Sequence, residues 1–551
     1  MTCPIFQVTR NLNDIESLIT LELPEKDPFH QRKKELLEDE SFNSQRHLSL
    51  KISSNFISTS LEALLQRARV ICLDETELYF DGADIDSALQ YHNPRNELEA
   101  LHLILTAIDK ILTSSNYKMD NVLHDLRNVT IEKIQEVGNN FSDKTKVLIN
   151  SCIKEKLLLQ WGEAIGVQTK LEVAYVEGAG RGAIAKEDLK VGDVALEVPV
   201  SAIISEELLH VSDMAPILEL INGVSLETML LLWSMKEKHR ANSKFKSYFD
   251  SLPETFNTGL SFGMDAIMAL DGTLLLEEIV QAKEHLRTQY NELFPTLTNT
   301  YPDIFPAEIY TWEQFLWACE LWYSNGMKVM FPNDKLRTCL VPVAGFLNHN
   351  IVPHILRYGK VDSTTNSLKF PLSRPCNAGE QCYLSYGSLS SSHLVTFYGF
   401  LPDGVNLHDT IPLDIDAGSD VSTKPSLSGW TTHMLRGTWL AKNHGIFHYG
   451  LPIPLLDHFR RVQSSSHETK TNDQERLEID LEILEVLSST FEDMLENLGQ
   501  TNNDDSLENT SWDVKLALEF KDLQRKTVSS VVNSCSSGIK LVQNELQKYG
   551  S

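Results

Sequence analysis

The stretch LEVAYVEGAGRGAIAKEDLKVGDVALEVPV at residues 171–200 restricts the fold more than any other part of the sequence. Its hexapeptide GAGRGA fits G-x-G-x-x-A, the glycine turn that places a dinucleotide at the start of a helix. That interpretation requires a long helix after Ala183, yet only a few residues separate Ala183 from Gly192 and Asp193, a turn signal. The flanking segments alternate apolar and polar residues, and the last one ends at Pro199. The sequence therefore predicts an antiparallel β unit with two turns instead of a dinucleotide site.

The charge balance argues against one class of partner. Acidic residues outnumber basic residues by 76 to 49, which gives a formal net charge of −27. A protein that grips nucleic acid through its phosphates needs the opposite sign, so we expect no direct nucleic-acid binding. An acidic surface favours a basic protein partner. The alternative is that the acidic surface only keeps the protein soluble. The sequence does not indicate an oligomeric state.

The cysteines and the apolar runs bear on location. The eight cysteines are scattered, without a C-x-x-C pair, which is typical of a reducing compartment and gives no structural zinc site. The apolar runs are too short to cross a bilayer, so we expect no membrane segment. The N-terminus acquires acidic residues early and fits neither a signal peptide nor a transit peptide. We therefore expect cytoplasm or nucleus, in preference to a plastid.

Helical patterns dominate both ends of the chain. In residues 1–165, Asn93 caps and Pro94 begins a predicted helix whose apolar residues recur at helical spacing. We expect an N-terminal helical extension there and find no catalytic signature in it. A polar linker is predicted at 415–429. Beyond it, Leu484, Leu487, Phe491, Leu495 and Leu498 form the apolar stripe of a predicted helix.

Four features follow one another in the middle of the chain: GAGRGAIA, SKFKSYFDSLP, VPVAGFLNHN and GEQCYLSYGSLSSSHLVTFYGF. Each is weak alone, but in this order they resemble the SET-domain protein methyltransferases of the class typified by the plant Rubisco large-subunit methyltransferase. The resemblance covers about residues 165–415 well and the helical tail at 430–548 more loosely. It implies an α+β fold in which a SET domain at 166–415 has a knot-like crossing and a helical insertion at about 205–335. The segment 430–548 would be the helical substrate-binding domain of that class.

The same resemblance implies a set of site residues. The backbone around Gly180, Arg181 and Gly182 would line the pocket of the cofactor S-adenosyl-L-methionine. Asn348 and His349 match the Asn-His pair that anchors the cofactor in this class. Tyr386 matches the tyrosine at the point of methyl transfer, where it would be catalytic and touch the cofactor. Further aromatic residues around the target side chain are matched by Tyr358 and Tyr398.

Aromatic side chains suit this chemistry. Methyl transfer needs a neutral amine, but lysine has a pKa near ~10.4 and is charged at pH 7. A narrow aromatic channel disfavours the ammonium and aligns the nitrogen, so it supplies both deprotonation and orientation.

One departure from the class concerns the cofactor. The class commonly has Ser-Arg where this sequence has Ser324 and Asn325, so a charge-assisted contact to the cofactor carboxylate is lost. Lys328, one turn later on the predicted helix, is a candidate to compensate. A metal site built on His349 and His354 is disfavoured because the sequence offers no further close ligands.

These observations favour an S-adenosyl-L-methionine-dependent methyltransferase that acts on a lysine side chain of a non-histone protein, which is a protein-lysine N-methyltransferase. Two alternatives stay open: a SET-fold binding scaffold with weak or no catalysis, suggested by Asn325, and a protein-histidine methyltransferase. Cys376 and Cys382 precede Tyr386 and cannot form a zinc module after it. We therefore expect the 430–548 domain to recognise the protein substrate, with an exposed acidic face formed by Glu482, Glu485, Glu492, Asp493 and Glu496.

Overall fold

The computed structural model describes residues 17–38, 48–50, 57–80, 89–113, 121–140, 145–150, 152–221, 223–413, 433–436, 449–463, 472–499 and 510–549. Within these ranges, none of the helices is both long and apolar enough to cross a membrane. The predicted linker at 415–429 lies outside the described residues. Helices and strands alternate through the middle of the chain, and helical segments occupy both ends, so the predicted α+β class is confirmed.

The N-terminal unit is helical, as its apolar spacing predicts. Its helices are His30–Glu38, Ile57–Cys72, Glu75–Phe80, Pro94–Thr113, Asn121–Asn140 and Ile153–Ala164. Asn93 caps the Pro94–Thr113 helix, since its Oδ1 accepts the backbone N–H of Asn96 at 2.9 Å. The apolar stripe of that helix is buried in a separate hydrophobic core. Two short strands, Ser17–Ile19 and Leu48–Leu50, pair antiparallel beside it.

The glycine turn lies in an antiparallel hairpin, as predicted. Leu171–Val176 pairs with Gly180–Ala185 through six residue pairs. Gly178 and Gly180 have φ angles of 76° and 67°, which side chains rarely adopt, and this explains the glycines at the turn. The chain continues from Ala183 to the strand Val194–Pro199, and none of the residues between them, all of which the structure describes, is helical, so the dinucleotide interpretation is excluded.

Two details of the β unit differ from the simplest prediction. The third strand, Val194–Pro199, does not extend the hairpin but pairs with Ser367–Pro371 and Gln168–Thr169 in a second sheet. The hairpin instead gains Val147–Asn150, a strand from the N-terminal side of residue 165. Strand order depends on long-range pairing, which the local alternation of residues does not specify.

A helical insertion separates the early strands from the later ones. Its helices are Glu206–His210, Ala215–Leu218, Leu226–His239, Lys246–Ser251, Met264–Ala269, Leu274–Thr300 and Trp312–Asn325. The strands that follow are Gly326–Met330, Leu336–Leu340, Val361–Asp362 and Ser367–Pro371. Short 3-10 turns occur at Val200–Ala202, Gly259–Ser261 and Ala344–Phe346, and one more helix spans Ser391–Tyr398. One large hydrophobic core joins insertion and strands.

Two distant segments cross beside each other near the end of this region. His349 and Ile355 both form parallel bridges with Leu384. The N–H of Leu384 donates to the Asn348 carbonyl at 2.9 Å, and the N–H groups of His354 and Ile355 donate to the Tyr383 carbonyl at 3.0 Å. This pairing is the one that the predicted crossing requires, and it brings the Asn-His segment next to the segment that carries Tyr386.

The C-terminal helices are Ile453–Gln463, Asp473–Asn497 and Trp512–Tyr549. A short strand pair, Ile411–Leu413 with His433–Leu435, precedes them. The predicted apolar stripe faces their shared core, with Leu495 partly buried at its edge. The five acidic residues predicted to be exposed are exposed.

The last helix also packs against the insertion. Leu516, Ala517 and Phe520 share a hydrophobic cluster with Phe262 and Ile279. Lys521 Nζ donates to the Asp271 carbonyl in the same region. The C-terminal helices are therefore fastened to the insertion through a buried apolar contact, and removing them would expose that contact to water.

Candidate active site

A cavity of about 1490 Å³ lies where the glycine hairpin, the Asn-His segment and the Tyr386 segment meet. Pockets for single small ligands hold about 300 to 1,000 Å³, so this cavity has room for a cofactor and part of a second molecule. Seven of the predicted site residues line it: Gly180, Arg181, Asn325, Asn348, His349, Tyr386 and Tyr398. Gly182 and Tyr358 are not among the lining residues.

Gly182 lies directly behind the cavity wall. A Cβ atom at this position would come within 2.1 Å of Gln381 Oε1 and 3.3 Å of Asn348 Nδ2. Those two side chains are bonded to each other, because Asn348 Nδ2 donates to Gln381 Oε1 at 2.7 Å and to the Arg181 carbonyl at 3.0 Å. The third glycine of GAGRGA is thus required for the close approach of Asn348 to the hairpin.

The side chain of Arg181 contacts other groups of the protein. Its Nη1 donates to the Ser251 carbonyl, at the end of the SKFKSYFDSLP motif, and lies 3.4 Å from Glu155 Oε1. Its guanidinium also stands over the Phe346 ring, 5.2 Å from the centroid. The side chain therefore connects the glycine hairpin to the insertion and to the Ile153–Ala164 helix, and the residue is also among those that line the cavity.

His349 and Tyr386 form the centre of the site. The backbone N–H of Tyr386 donates to His349 Nδ1 at 3.1 Å, and the two rings lie 5.3 Å apart. Burial, with a smaller contribution from His408, lowers the pKa of His349 to about 4. His349 is therefore neutral at pH 7, with Nδ1 as the acceptor and the proton on Nε2.

The phenol of Tyr386 is fixed and neutral. Its hydroxyl donates to the Leu347 carbonyl at 3.1 Å, and its ring stacks on Tyr398 at 4.9 Å between centroids. Burial, followed by the neighbouring Tyr398 and Tyr358, raises the pKa of Tyr386 well above its usual range. Among the described residues no group donates to the phenol oxygen, so its lone pairs are available to a group that enters the cavity.

Tyr358 supports this arrangement from behind. Its hydroxyl donates to the Ser385 carbonyl at 2.7 Å, and its ring stacks on Phe370 at 5.7 Å. Burial, with a smaller effect of Tyr398, raises the pKa of Tyr358 to about 12. The structure thus places Tyr358 against the backbone next to Tyr386, whereas Tyr398 faces the cavity.

Asn325 ends the Trp312–Asn325 helix and faces the cavity. Its Nδ2 donates to Ser324 Oγ at 2.8 Å, and a Cβ on Gly345 would approach its Oδ1 to 2.7 Å. The expectation for Lys328 is wrong, because the helix ends at Asn325 and Lys328 lies on the Gly326–Met330 strand. Lys328 is exposed and donates to Thr338 Oγ1 at 2.7 Å, so it does not replace an arginine at the cavity.

Val343 lines the cavity and lies within the VPVAGFLNHN motif, although the sequence does not single it out. It has a φ of 71°, which is unusual for a β-branched residue, and it caps the Ala344–Phe346 turn ahead of the Asn-His pair. Such backbone conformations cost about 1–3 kcal/mol each and cluster at functional sites.

The N-terminal unit forms one side of the cavity, which the sequence did not indicate. It contributes Tyr91, His92, Asn93, Pro94, Arg95, Asn140 and Thr145. Thr145 Oγ1 accepts the backbone N–H of Gln381 at 2.8 Å, immediately beside the Asn348 contact. Residues ahead of the predicted SET domain are therefore part of the site.

His354 lies near two cysteines that the spacing of the sequence does not bring together. Donor atoms of His354, Cys376 and Cys382 lie within 4.8 Å of one another, and all three residues are buried. However, His354 Nδ1 accepts the N–H of Tyr383 at 3.0 Å, so in the neutral ring Nε2 carries the proton. Neither nitrogen then offers a free lone pair to a metal, and we assign the cluster to the packed core.

A comparison with known proteins finds relatives that are similar to this chain in sequence. The chain is 26% identical over 293 residues to the [fructose-bisphosphate aldolase]-lysine N-methyltransferase, chloroplastic, of Arabidopsis thaliana, covering 50% of this chain and 59% of the relative. It is 27% identical over 308 residues to the ribulose-1,5 bisphosphate carboxylase/oxygenase large subunit N-methyltransferase, chloroplastic, of Pisum sativum, covering 53% and 59%. Actin-histidine N-methyltransferase of Rhinolophus ferrumequinum is 23% identical, covering 47% and 44%. The chain thus spans only about half the length of these curated relatives.

Solved structures share the fold. A crystal structure of the SET domain of LSMT bound to lysine and AdoHcy superposes with a TM-score of 0.56 at 18% identity, covering 72% of this chain and 94% of the other. Rubisco LSMT bound to AdoMet gives a TM-score of 0.55 at 18% identity, covering 73% and 96%. No family model matches the sequence. The chain therefore has the SET-domain fold, and its homologues are SET-domain methyltransferases of the Rubisco LSMT-like class.

Proposed function

We propose that the protein is an S-adenosyl-L-methionine-dependent protein methyltransferase whose acceptor is a lysine side chain of a non-histone protein. The observation that carries this proposal is the position of Tyr386. Its phenol is held neutral between His349 and Tyr398, at the junction of the glycine hairpin and the Asn-His segment. The named activities of the sequence relatives support the same reaction class.

The residues of the cavity fit the proposed cofactor. Gly180 leaves open space, since a Cβ there would meet no atom within 4 Å, and Asn348, His349 and Asn325 provide polar groups around it. We propose that these residues hold the cofactor's polar ends by hydrogen bonds. When bound, the cofactor supplies a methyl group on a positively charged sulfur.

The aromatic residues of this chain would prepare the acceptor. A lysine ammonium that enters beside the rings of Tyr386 and Tyr398 loses water, and this desolvation lowers its pKa, so the neutral amine becomes accessible. The proton leaves to solvent through the open side of the cavity. The Tyr386 oxygen then accepts a hydrogen bond from the amine nitrogen and orients its lone pair.

A histidine acceptor is the second candidate. Relatives named actin-histidine N-methyltransferase match the chain over a similar share of its length. A neutral imidazole needs no prior proton loss at pH 7. The scaffold alternative rests on Asn325, which provides no charge for a cofactor carboxylate.

Two measurements separate these functions. Calorimetry with S-adenosyl-L-methionine tests for a cofactor site, and the scaffold alternative requires weak or no binding. Incubation of the full chain with labelled cofactor and an undermethylated proteome should label discrete proteins, and mass spectrometry then identifies lysine or histidine. Cofactor binding without any labelled protein would argue against the enzyme.

We further propose that the 430–548 region helps to recognise the protein substrate and that its acidic face favours a basic partner. The five acidic residues of that face are exposed on one long helix. Cytoplasm or nucleus is our proposed location, which imaging of the tagged chain can test.

A further inference from the structure

The N-terminal unit packs against the segments that carry the candidate active site and forms a hydrogen bond with them. Val352, three residues after His349, is buried in the hydrophobic core of the N-terminal unit, with Ile351 and Leu356 packed beside it. Thr145 bonds the backbone of Gln381. The segment between His349 and Leu356 therefore depends on N-terminal packing for its position.

A second connection reaches the segment that follows Tyr386. Asp74, just ahead of the Glu75–Phe80 helix, accepts a hydrogen bond from Ser388 Oγ at 3.1 Å. The same carboxylate lies 3.2 Å from Arg95 Nη2 and 3.8 Å from His408 Nε2. Arg95 and His408 both line the cavity, so one side chain links two lining residues to the loop two residues beyond Tyr386.

The Glu75–Phe80 helix also meets the start of the C-terminal region. The Tyr79 hydroxyl accepts the N–H of Met434 at 3.1 Å, and Arg436 lies 4.1 Å above the Phe80 ring. Arg436 in turn donates to the Leu407 carbonyl at 3.3 Å. This helix thus lies between the 388–408 segment and the first residues of the C-terminal region.

We infer that the N-terminal unit is the second wall of the substrate channel and that Asp74 is a positioning residue that holds this wall against the Tyr386 loop. This inference rests on the proposed function for the identity of the substrate. The wall and the insertion enclose the cavity from two sides, so the target side chain must arrive on an extended segment of a protein.

The charges of the wall favour a basic segment. Arg95 is the cation at its centre, and it is surrounded by Asp74, Glu77 and Glu99, whose oxygens lie 2.6 to 3.2 Å from it. Arg95 lines the cavity, whereas the three carboxylates are not among its lining residues, and the cluster of these four side chains carries a formal negative charge. We therefore expect the accepted segment to be an extended lysine-bearing peptide with basic neighbours.

The test uses three variants: Asp74→Asn, Ser388→Ala and the double variant that combines these two changes. Asp109→Asn is the control. Asp109 pairs with Arg127 on the N-terminal helices and serves as a matched carboxylate change away from the cavity. The probes are lysine-centred peptide libraries with basic or acidic flanks. We expect Asp74→Asn to raise KM for the basic library by about tenfold with little change in kcat or in calorimetric cofactor affinity. Asp74→Glu should restore part of the loss.

A second readout does not depend on catalysis. Hydrogen exchange of the 386–408 segment should be faster in Asp74→Asn and Ser388→Ala and unchanged in Asp109→Asn, and the double variant should add little to either single change. If both exchange and KM of Asp74→Asn match the unaltered protein, the inference is wrong. If the unaltered protein methylates no peptide or protein while the exchange effect is present, the proposed function is wrong. The role of Asp74 in holding the N-terminal unit against the Tyr386 loop is then still supported.

Discussion

Tyr386 and His349 are joined by a hydrogen bond from the Tyr386 N–H to His349 Nδ1 at 3.1 Å, and their rings lie 5.3 Å apart. The two residues are 37 positions apart in the chain, and the crossing of their segments is what makes them neighbours. One residue of the proposed cofactor-binding pair thereby fixes the backbone of the proposed catalytic tyrosine. Under the proposed function, cofactor binding and acceptor orientation would therefore share one hydrogen-bonded unit.

Removing the phenol oxygen of Tyr386 should separate catalysis from binding. Tyr386→Phe loses the bond to the Leu347 carbonyl and the oxygen that faces the acceptor. We expect methyl transfer to fall by about 100-fold and the free energy of unfolding by about 1 kcal/mol, with cofactor affinity nearly unchanged. Tyr549→Phe, at an exposed position on the last helix, is the control. Full activity of Tyr386→Phe would remove the role assigned to the phenol.

A methyl group at Gly182 should damage the proposed cofactor site. Gly182→Ala places a Cβ 2.1 Å from Gln381 Oε1, so the Gln381–Asn348 bond must shift or break. We expect a loss of about 1–3 kcal/mol in unfolding free energy and clearly weaker calorimetric binding of S-adenosyl-L-methionine. Gly162→Ala is the matched control, because the added Cβ there meets its nearest atom at 3.4 Å within a helix. Equal cofactor affinities in the two variants would contradict this account.

Restoring the charge at position 325 should strengthen cofactor binding. Asn325→Arg adds a guanidinium at the cavity wall, next to Gly345. A charge-assisted bond to the cofactor carboxylate would tighten binding by about tenfold. Asn325→Lys tests charge without the planar fork. Weaker binding in both variants would show that Asn325 is itself a required contact.

Acidification should destabilise the site through His349. Burial, and secondarily His408, lowers the pKa of His349 to about 4, while an unfolded histidine titrates near ~6.5. Between these values the unfolded chain binds more protons than the folded chain, so stability falls as the pH drops from about 6.5 to 4 and is unaffected above that window. The contribution is of order 3 kcal/mol. Thermal unfolding of His349→Gln should show a shallower loss over this window, and an identical pH profile would count against it.

The acidic face of the C-terminal helices should affect substrate affinity alone. Glu482, Glu485 and Glu496 are exposed, so changing all three to glutamine removes charge without disturbing the buried stripe. We expect a higher KM for a basic protein substrate, unchanged cofactor affinity and an unfolding temperature that shifts little. The comparison variant is Glu277→Gln, Glu284→Gln and Glu292→Gln on the insertion helix. Equal KM values in the two triple variants would argue against recognition by this face.

Local pattern and motif order were sufficient for several features. The alternation around GAGRGA predicted the hairpin, because a strand's faces repeat every two residues and glycine marks its turn. The helical spacing in the N-terminal extension and at Leu484–Leu498 predicted buried stripes, because an amphipathic helix must bury one face. The order of the four motifs indicated the SET fold and seven of the residues that line the cavity.

Contacts between distant segments were decided only in the folded chain. No local pattern places Thr145 beside Gln381 or Asp74 beside Ser388, since such pairs depend on how whole units pack. The helix end at Asn325 moved Lys328 onto a strand and away from the cavity, because pairing with Leu336–Leu340 outweighs helical continuation. Tyr358 and Tyr398 look alike in sequence, yet only Tyr398 lines the cavity, because side-chain direction follows from tertiary packing around each backbone segment.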